Sequence, residues 1–163
     1  MPILNIEQPE IIPISGNLRL RKYDGNHDFA LSWYQDEETV WLVDGVRRAY
    51  SRETLDNMYG YLDKRGELYF IESREGEYFR PIGDVTFWQE DMPIVIGVAS
   101  CRGKGIGSQV IRALVERGRE LGYKDLYVNE IYKYNAGSLA CFLSAGFEIY
   151  EETENSFRLK RKL

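Results

Sequence analysis

One stretch of this chain constrains its fold more than any other: an apolar strand, a glycine-rich loop and a long amphipathic helix in direct succession. Residues 94–98 form an apolar run that predicts a buried strand, and residues 102–107 carry three glycines. From Ile106 onward, apolar residues recur at the spacing of one helix face, at Val110, Ile111, Leu114, Val115 and Leu121. The unpaired N–H groups and the dipole of a helix start both favour a phosphate. The sequence therefore predicts a site for a phosphorylated cofactor at this loop.

The spacing of the glycines excludes two common phosphate-binding motifs. A dinucleotide fingerprint has the form G-x-G-x-x-G, but Ser108 stands where its third glycine is needed. A Walker A loop ends in G-K-[ST], but Lys104 is followed by Gly105. The pattern that remains is (Gln/Arg)-x-x-Gly-x-(Gly/Ala), which Arg102, Gly105 and Gly107 satisfy. Glycines here let the backbone approach a diphosphate without interference from Cβ atoms.

A second block of residues follows the helix. Gly122 is suited to end that helix in the left-handed conformation, and residues 126–131 predict a further strand. Asn135 or Ser138 can then cap a short helix, which Gly146 can end. These elements continue the alternation of strands and helices that the first block begins.

Together the two blocks resemble the GNAT acetyltransferase superfamily, whose members bind coenzyme A at such a loop. The resemblance covers roughly residues 80–150 and includes the pattern Asn-x-x-(Ala/Ser)…Gly-Phe. It implies acetyl-coenzyme A (acetyl-CoA) as cosubstrate, with Asn135 reaching the pantetheine arm and the Val98 N–H polarising the thioester carbonyl. The residues expected to contact the cofactor are Val98, Arg102, Gly103, Lys104, Gly105, Ile106, Gly107, Ser108, Asn135, Ser138 and Phe142.

Size and composition are typical of one globular domain. Hydrophobic residues make up 44% of the 163 and charged residues 29%, so we expect a single domain over residues 1–163, with a loosely attached arm at residues 1–16. No apolar run reaches the roughly 18 residues of a membrane span, and residues 1–7 lack the features of a signal peptide. We therefore expect a cytoplasmic protein without a membrane partner.

Charge and side-chain chemistry argue against other classes of function. A net charge of −5 argues against a nucleic-acid partner, because such binding needs concentrated Lys and Arg. No spacing of His, Cys and Asp supports a metal site. Cys101 and Cys141 flank the predicted cofactor site, either as small apolar fillers or as reactive thiols. We expect a monomer or a homodimer.

The order of the predicted elements favours a mixed α/β fold. Hairpin-linked strands come first, a strand–helix–strand crossover follows, and a helix and strands end the chain, which indicates helices on both faces of a sheet. We expect a central, twisted, mostly antiparallel sheet of about six or seven strands with about four helices, as in the GNAT fold. Ser51 is expected to cap a helix, whereas residues 36–41 predict a loop.

The resemblance implies transfer of an acetyl group to a primary amine by direct attack within a ternary complex. Since an amine with a pKa of about 10 is protonated at neutral pH, a base must take its proton. Glu130, near the end of the strand before Asn135, is the first candidate for this base, and Asp84 is the second. Many family members carry a tyrosine acid where this chain has Phe142, so Tyr132 is a candidate substitute.

The sequence leaves the acceptor open. In this family the N-terminal third lines the acceptor groove, and we expect Asp36, Glu37 and Trp41 to attract an ammonium group there. The resemblance extends both to ribosomal-protein N-terminal acetyltransferases and to aminoglycoside 6′-N-acetyltransferases. An alternative of another class is a catalytically inactive sensor that binds acyl-CoA, because Phe142 cannot donate a proton.

Overall fold

Two antiparallel sheets form the framework of the molecule. The computed structural model describes residues 2–163, so Met1 lies outside the described part. The first sheet holds, in spatial order, β1 (Ile11–Ser15), β2 (Leu18–Lys22), β3 (Glu67–Glu75), β4 (Tyr78–Phe87) and β5 (Ile94–Ile96). The second sheet has the order β6, β8, β7, formed by β6 (Asp125–Tyr132), β7 (Glu148–Glu152) and β8 (Ser156–Lys162).

Five α-helices lie within the described residues. They are α1 (Leu31–Tyr34), α2 (Glu37–Asp44), α3 (Arg52–Arg65), α4 (Ile106–Glu120) and α5 (Ala136–Ser144). Ser51 caps α3 as expected, since its Oγ accepts a hydrogen bond from the Thr54 N–H at 3.1 Å. Gly122 follows α4 with φ of 80°, a conformation that glycine adopts without strain. None of these helices is both long and apolar enough to cross a bilayer.

Helices cover both faces of the first sheet, so two apolar cores form. On one face α4 packs against the strands, and its buried side chains there are Val110, Ile111, Leu114 and Val115. On the opposite face α1 and α3 bury Trp33, Tyr34, Leu55, Tyr59 and Leu62. Full burial of a leucine side chain is worth about 2 kcal/mol, so the apolar face of α4 holds the start of this helix firmly in place.

The two sheets meet at the start of β6 and then diverge. The Tyr127 N–H donates to the Gln89 carbonyl oxygen at 2.9 Å, and the Asn129 N–H donates to Asp91 Oδ1 at 3.1 Å. Both contacts join the turn before β5 to β6. Beyond Asn129 the described residues form no hydrogen bond between β5 and β6, and the two strands belong to different sheets.

The predicted mixed α/β architecture is confirmed, with differences in the number of strands and in the N-terminal part. The described residues form eight strands in two sheets, where one sheet of about six or seven strands was expected. The predicted arm at residues 1–16 contains β1, which pairs with β2 and packs Ile12 and Ile14 against the core. Pro13 is compatible with β1 because this strand lies at the edge of its sheet.

The loop predicted at residues 36–41 is wrong, because most of these residues belong to α2. Asp36 has the extended conformation of an N-cap residue, and Gly45 ends the helix with φ of 74°. Acidic residues in the first turn also favour the helix through its dipole. The apolar residues 40–43 are consecutive instead of spaced along one face, so the periodicity of the sequence gives no helix signal here.

Candidate cofactor cleft and acceptor side

A cleft of about 420 Å³ lies beside β5, at the start of α4. Its walls come from β5, the glycine loop, the start of α5 and one side of α2. Residues from each of these walls line the cleft, among them Thr39, Val95, Ile96, Arg102, Gly105 and Asn135. Apolar side chains prevail among the others, so the cleft suits a long, partly apolar ligand with a polar end.

The glycine loop opens onto the cleft with unpaired backbone donors. Gly103 and Gly105 have φ values of 72° and 77°, which residues with a Cβ rarely adopt. Within the described part of the chain, no hydrogen bond uses the N–H groups of residues 103–108. A Cβ on Gly107 would lie 3.1 Å from Cys141 Sγ, so α4 and α5 approach closely beside the loop. Because the donors lie at the N-terminus of α4, they can bind an anion such as a diphosphate.

Arg102 was expected to contact the cofactor, and it lines the cleft, but its side chain also makes two contacts within the protein. The Nε donates to the Ile96 carbonyl oxygen and the Nη2 to Thr39 Oγ1, both at 2.8 Å. The guanidinium therefore joins β5 to α2. The side chains of Lys104 and Ser108 lie outside the lining of the cleft, and only their backbone N–H groups belong to the row of donors.

Two of the three expected cofactor contacts in the second motif block, Asn135 and Ser138, line the cleft. The third, Phe142, does not line it. Asn135 caps α5, because its side-chain oxygen accepts from the Ser138 N–H at 3.2 Å. Its Nδ2 lies 3.4 Å from the Leu42 carbonyl oxygen of α2. Phe142 is 1% exposed and packs edge-on against Phe147. This ring serves the core, which differs from the expected contact with the cofactor.

Val98 lies two residues after the end of β5, beside an irregularity in the sheet, and is not among the residues that line the cleft. The N–H groups of Gly97 and Val98 both donate to the Ile82 carbonyl oxygen, at 2.8 and 3.1 Å. Two successive N–H groups on one acceptor mark a local departure from the regular ladder, as at a β-bulge. Position 97 requires glycine, because a Cβ there would lie 2.3 Å from the Trp33 ring. The Val98 N–H thus makes the longer of two bonds to a shared oxygen.

Asp84 is a carboxylate inside the molecule. It is 2% exposed, and the hydroxyl groups of Tyr34 and Tyr59 both donate to its Oδ2, at 2.6 and 2.8 Å. On β4 it is paired with Val95 of β5, which lines the cleft. Burial raises the pKa of Asp84 to about 6, although the two tyrosine donors oppose this shift. Such a group is ionised at neutral pH and basic enough to accept a proton.

Glu130 and Tyr132 lie on the last part of β6, where the register against β8 shifts. The Ser156 hydroxyl lies 3.4 Å from Glu130 Oε2, and the Tyr132 hydroxyl lies 3.4 Å from the Asp44 carbonyl oxygen at the end of α2. Burial raises the pKa of Tyr132, and the charge of Glu130 adds to this effect. Neither side chain lines the cleft, and Glu130 is exposed.

The residues expected to attract an acceptor lie along α2. Asp36 and Glu37 are exposed at its start. Trp41 stacks on Tyr134 with the ring centroids 4.5 Å apart, and the Arg47 guanidinium lies 4.9 Å from the Trp41 ring centroid. Because these two groups occupy Trp41, it offers a ligand ammonium less free ring surface than expected.

Sequence reasoning missed the contacts that attach α2 to the rest of the site. Thr39 accepts from Arg102, and the Tyr134 hydroxyl donates to the Trp41 carbonyl oxygen at 2.8 Å. The partners in these contacts are 63 and 93 residues apart. Pairs so far apart leave no local pattern in the sequence. Recognising a helix at residues 37–44 would have pointed to them, but the sequence analysis predicted a loop there.

Comparison with known proteins decides the family. The sequence model of the acetyltransferase (GNAT) family matches residues 28–147, which is most of the chain. The chain belongs to the GNAT family. The resemblance predicted from the two motif blocks is thereby confirmed, and the matched residues include α2, the glycine loop and α5.

A curated relative of this GNAT protein is the uncharacterized N-acetyltransferase YobR of Bacillus subtilis (strain 168). The two sequences are 22% identical over 146 residues, which is 87% of this chain and 58% of YobR. The chain therefore spans little more than half the length of that relative.

Solved structures share the fold of this GNAT protein at low sequence identity. A domain from Methanocaldococcus jannaschii matches with a TM-score of 0.78 and 20% identity, over 90% of this chain and 98% of that one. The ribosomal L7/L12 alpha-N-protein acetyltransferase RimL matches at 0.76 and 20%, over 94% of each chain. Aminoglycoside acetyltransferase AAC(6')-Ib in complex with coenzyme A and kanamycin matches at 0.73 and 16%, over 89% and 94%. At these identities the likeness is one of fold.

Proposed function

We propose that this protein transfers an acetyl group from acetyl-CoA to a primary amine by direct attack within a ternary complex. One observation carries the proposal: the backbone N–H groups of residues 103–108 have no partner within the described chain and open onto a cleft of about 420 Å³. Donors of this kind at a helix N-terminus bind phosphate groups. Membership of the GNAT family and structural neighbours solved with acetyl-CoA or coenzyme A support the same ligand.

Backbone and side-chain groups divide the work of holding the cosubstrate in this proposal. The N–H groups of the glycine loop bind the diphosphate, and the pantetheine arm follows β5 toward Asn135. The Val98 N–H makes the longer of two bonds to the Ile82 oxygen. We assign it the role of polarising the thioester carbonyl, because the resemblance places this donor at the end of the strand before the glycine loop.

Glu130 remains our first candidate for the base and Asp84 our second. Glu130 is exposed on β6, so an acceptor can approach it from solvent. Asp84 has the better matched pKa, about 6, but the tyrosine hydroxyls that cover its Oδ2 restrict access to it. Tyr132 is the candidate donor to the departing thiolate, for which water is an adequate substitute since this thiolate is a good leaving group.

The proposed acceptor is a cationic amine. Exposed carboxylates lie along α2 and on the neighbouring part of β6, at Asp36, Glu37, Asp44 and Glu130. Negative charge around a groove raises the local concentration of ammonium compounds. The structural neighbours include an aminoglycoside acetyltransferase and an acetyltransferase of a ribosomal protein, so aminoglycosides and protein N-termini are the first acceptors to test.

A sensor that binds acyl-CoA without turnover is the second candidate function. Phe142 favours it, because this ring lies in the core and has no proton to donate. Turnover with any amine eliminates this candidate, whereas tight acetyl-CoA binding without turnover across the amine panel supports it.

Acetyl-CoA binding and coenzyme A release test the proposal. Calorimetry measures the Kd for acetyl-CoA, and a thiol reagent follows release with aminoglycosides, polyamines, amino acids and peptides. Gly105→Ala is expected to raise the Kd about tenfold or more, because a left-handed residue with a Cβ costs about 1–2 kcal/mol and its relaxation moves the donors. Gly76→Ala is the matched control. Gly76 has φ of 65° in the turn between β3 and β4, and both glycines have open space around the missing Cβ.

The two variants separate loss of the site from loss of the fold. We expect Gly76→Ala to keep the wild-type Kd within about twofold while losing a similar amount of stability. Absence of acetyl-CoA binding by the wild type, or the same weakening in both variants, would contradict the proposal.

A further inference from the structure

A chain of hydrogen bonds joins the start of α2 to the cofactor loop. The Thr39 hydroxyl donates to Asp36 Oδ2 at 2.8 Å and accepts from Arg102 Nη2 at 2.8 Å. Arg102 Nε in turn donates to the Ile96 carbonyl oxygen at 2.8 Å. Thr39 is 2% exposed, so this hydroxyl is a buried link between a carboxylate and a guanidinium. Hydrogen bonds to charged groups are the stronger ones, and they fix the geometry of both partners.

The opposite end of α2 is attached to the segment between β6 and α5. The Tyr134 hydroxyl donates to the Trp41 carbonyl oxygen at 2.8 Å, and the Tyr132 hydroxyl lies 3.4 Å from the Asp44 carbonyl oxygen. The Trp41 carbonyl oxygen also accepts from the Gly45 N–H at 3.0 Å, so the Tyr134 hydroxyl is its second donor. Each end of α2 thus contacts an element that also builds the cofactor cleft.

The two sides of α2 face different surroundings. Thr39, Leu42 and Val43 line the cofactor cleft. Glu37 and Asp44 are exposed on the side where the acceptor is expected. A displacement of this helix therefore moves the acceptor side and one wall of the cofactor cleft, but it leaves the backbone donors of the glycine loop in place.

We propose that Arg102 and Thr39 are positioning residues that hold α2 as a wall common to the cofactor cleft and the acceptor side. Arg102 acts on the acceptor side through Thr39, and the diphosphate is left to the backbone donors of the loop. This inference rests on the proposed function, because the expected change in the acceptor KM requires that α2 positions the amine next to the thioester.

The matched pair Thr39→Val and Thr39→Ser tests this role. Valine keeps the shape of threonine but lacks the hydroxyl, whereas serine keeps the hydroxyl. We expect Thr39→Val to raise the KM for the acceptor about tenfold or more, the effect of losing a hydrogen bond to a charged group. The Kd for acetyl-CoA should change less than about threefold, and Thr39→Ser should restore the acceptor KM to within about threefold of the wild type.

Hydrogen exchange gives a readout that does not depend on turnover. The amides of residues 37–44 should exchange about tenfold faster or more in Thr39→Val, with the midpoint of chemical unfolding close to that of Thr39→Ser. Unchanged exchange in α2 would overturn the inference, even if the wild type turned over no amine. An unchanged acceptor KM, or a weakened acetyl-CoA Kd with a normal acceptor KM, would also overturn it. Failure of the wild type to bind acetyl-CoA would instead remove the proposed function.

Discussion

The cofactor side and the acceptor side of the cleft are built by different means. On the cofactor side the proposed binding groups are backbone N–H groups of residues 103–108, held by two glycines in the left-handed region and by the start of α4. On the proposed acceptor side, which α2 shares with the cofactor cleft, side chains meet backbone and side-chain groups across long sequence distances, as in the Arg102–Thr39 and Tyr134–Trp41 contacts. A site made of local backbone depends on a few glycines, whereas a site made of distant side chains depends on the whole fold. We therefore expect substitutions on the two sides to fail in different ways.

The largest effect is expected at the base. Glu130→Gln keeps the size of the side chain but removes the proton acceptor, so kcat should fall about a hundredfold or more while acetyl-CoA binding is retained. Glu151→Gln is the control, because Glu151 is an exposed carboxylate of β7 paired with Arg158. Steady-state kinetics measure both variants. If Glu130→Gln keeps the wild-type kcat and Asp84→Asn loses most of it, the general base is Asp84 and not Glu130.

The next effect concerns stability at the buried carboxylate. Asp84→Ala leaves the hydroxyl groups of Tyr34 and Tyr59 without their acceptor, and each costs about 2 kcal/mol, so the free energy of unfolding should fall by about 4 kcal/mol at pH 5. Glu130→Ala should change it by less than about 1 kcal/mol, because Glu130 is exposed. Chemical denaturation measures both. Equal losses would contradict the distinction between an interior carboxylate and a surface carboxylate.

Asp84 also makes stability depend on pH. Its pKa is raised from 3.8 to about 6, so between these values the folded state binds more protons than the unfolded state. The contribution of Asp84 to the free energy of unfolding is fully present below pH 4 and is lost as the pH rises through 6. The free energy of unfolding of the wild type should therefore fall by up to about 3 kcal/mol relative to that of Asp84→Asn. Unfolding midpoints at pH 4, 5, 6 and 7 give this difference. A stability difference between the wild type and Asp84→Asn that stays constant with pH, or that favours the wild type more as the pH rises, would contradict a raised pKa of Asp84.

The smallest effect is expected from the exposed charges of α2. Glu37→Gln together with Glu38→Gln, its exposed neighbour that pairs with Arg47, should raise the KM for a cationic amine about twofold to fivefold at low ionic strength, with the difference shrinking at high salt. The control is the same change at Glu148 and Glu152 of β7, which is exposed along its length. An equal rise in KM in both double variants would indicate a general effect of net charge instead of an acceptor groove.

Much of the cofactor side could be predicted because its signals are local. The glycine spacing, the one-face pattern of α4, the cap at Asn135 and the glycine after α4 each lie within a few residues of the structure they determine. The same locality explains a failure. Phe142 was placed at the cofactor from its position in a motif, but the side of α5 on which it lies is set by packing against Phe147.

The acceptor side could not be predicted because its determinants are contacts between distant residues. Residues 40–43 have no helical periodicity, and the hydrogen bonds that attach α2 at its two ends come from Arg102 and Tyr134, far away in the sequence. Asp84 was named as a candidate from its place on a strand, yet its burial and its two tyrosine partners appear only when α1 and α3 pack over β4. Side-chain roles of this kind follow from the tertiary structure.

The central claim is that the unpaired amides at the start of α4 bind the diphosphate of acetyl-CoA. A titration of the ¹⁵N-labelled protein with acetyl-CoA, followed by amide chemical shifts, tests it most directly. Our account predicts that the largest shifts occur at residues 103–108, with smaller ones along α2. An absence of shifts at saturating acetyl-CoA, or shifts confined to another part of the protein, would contradict it.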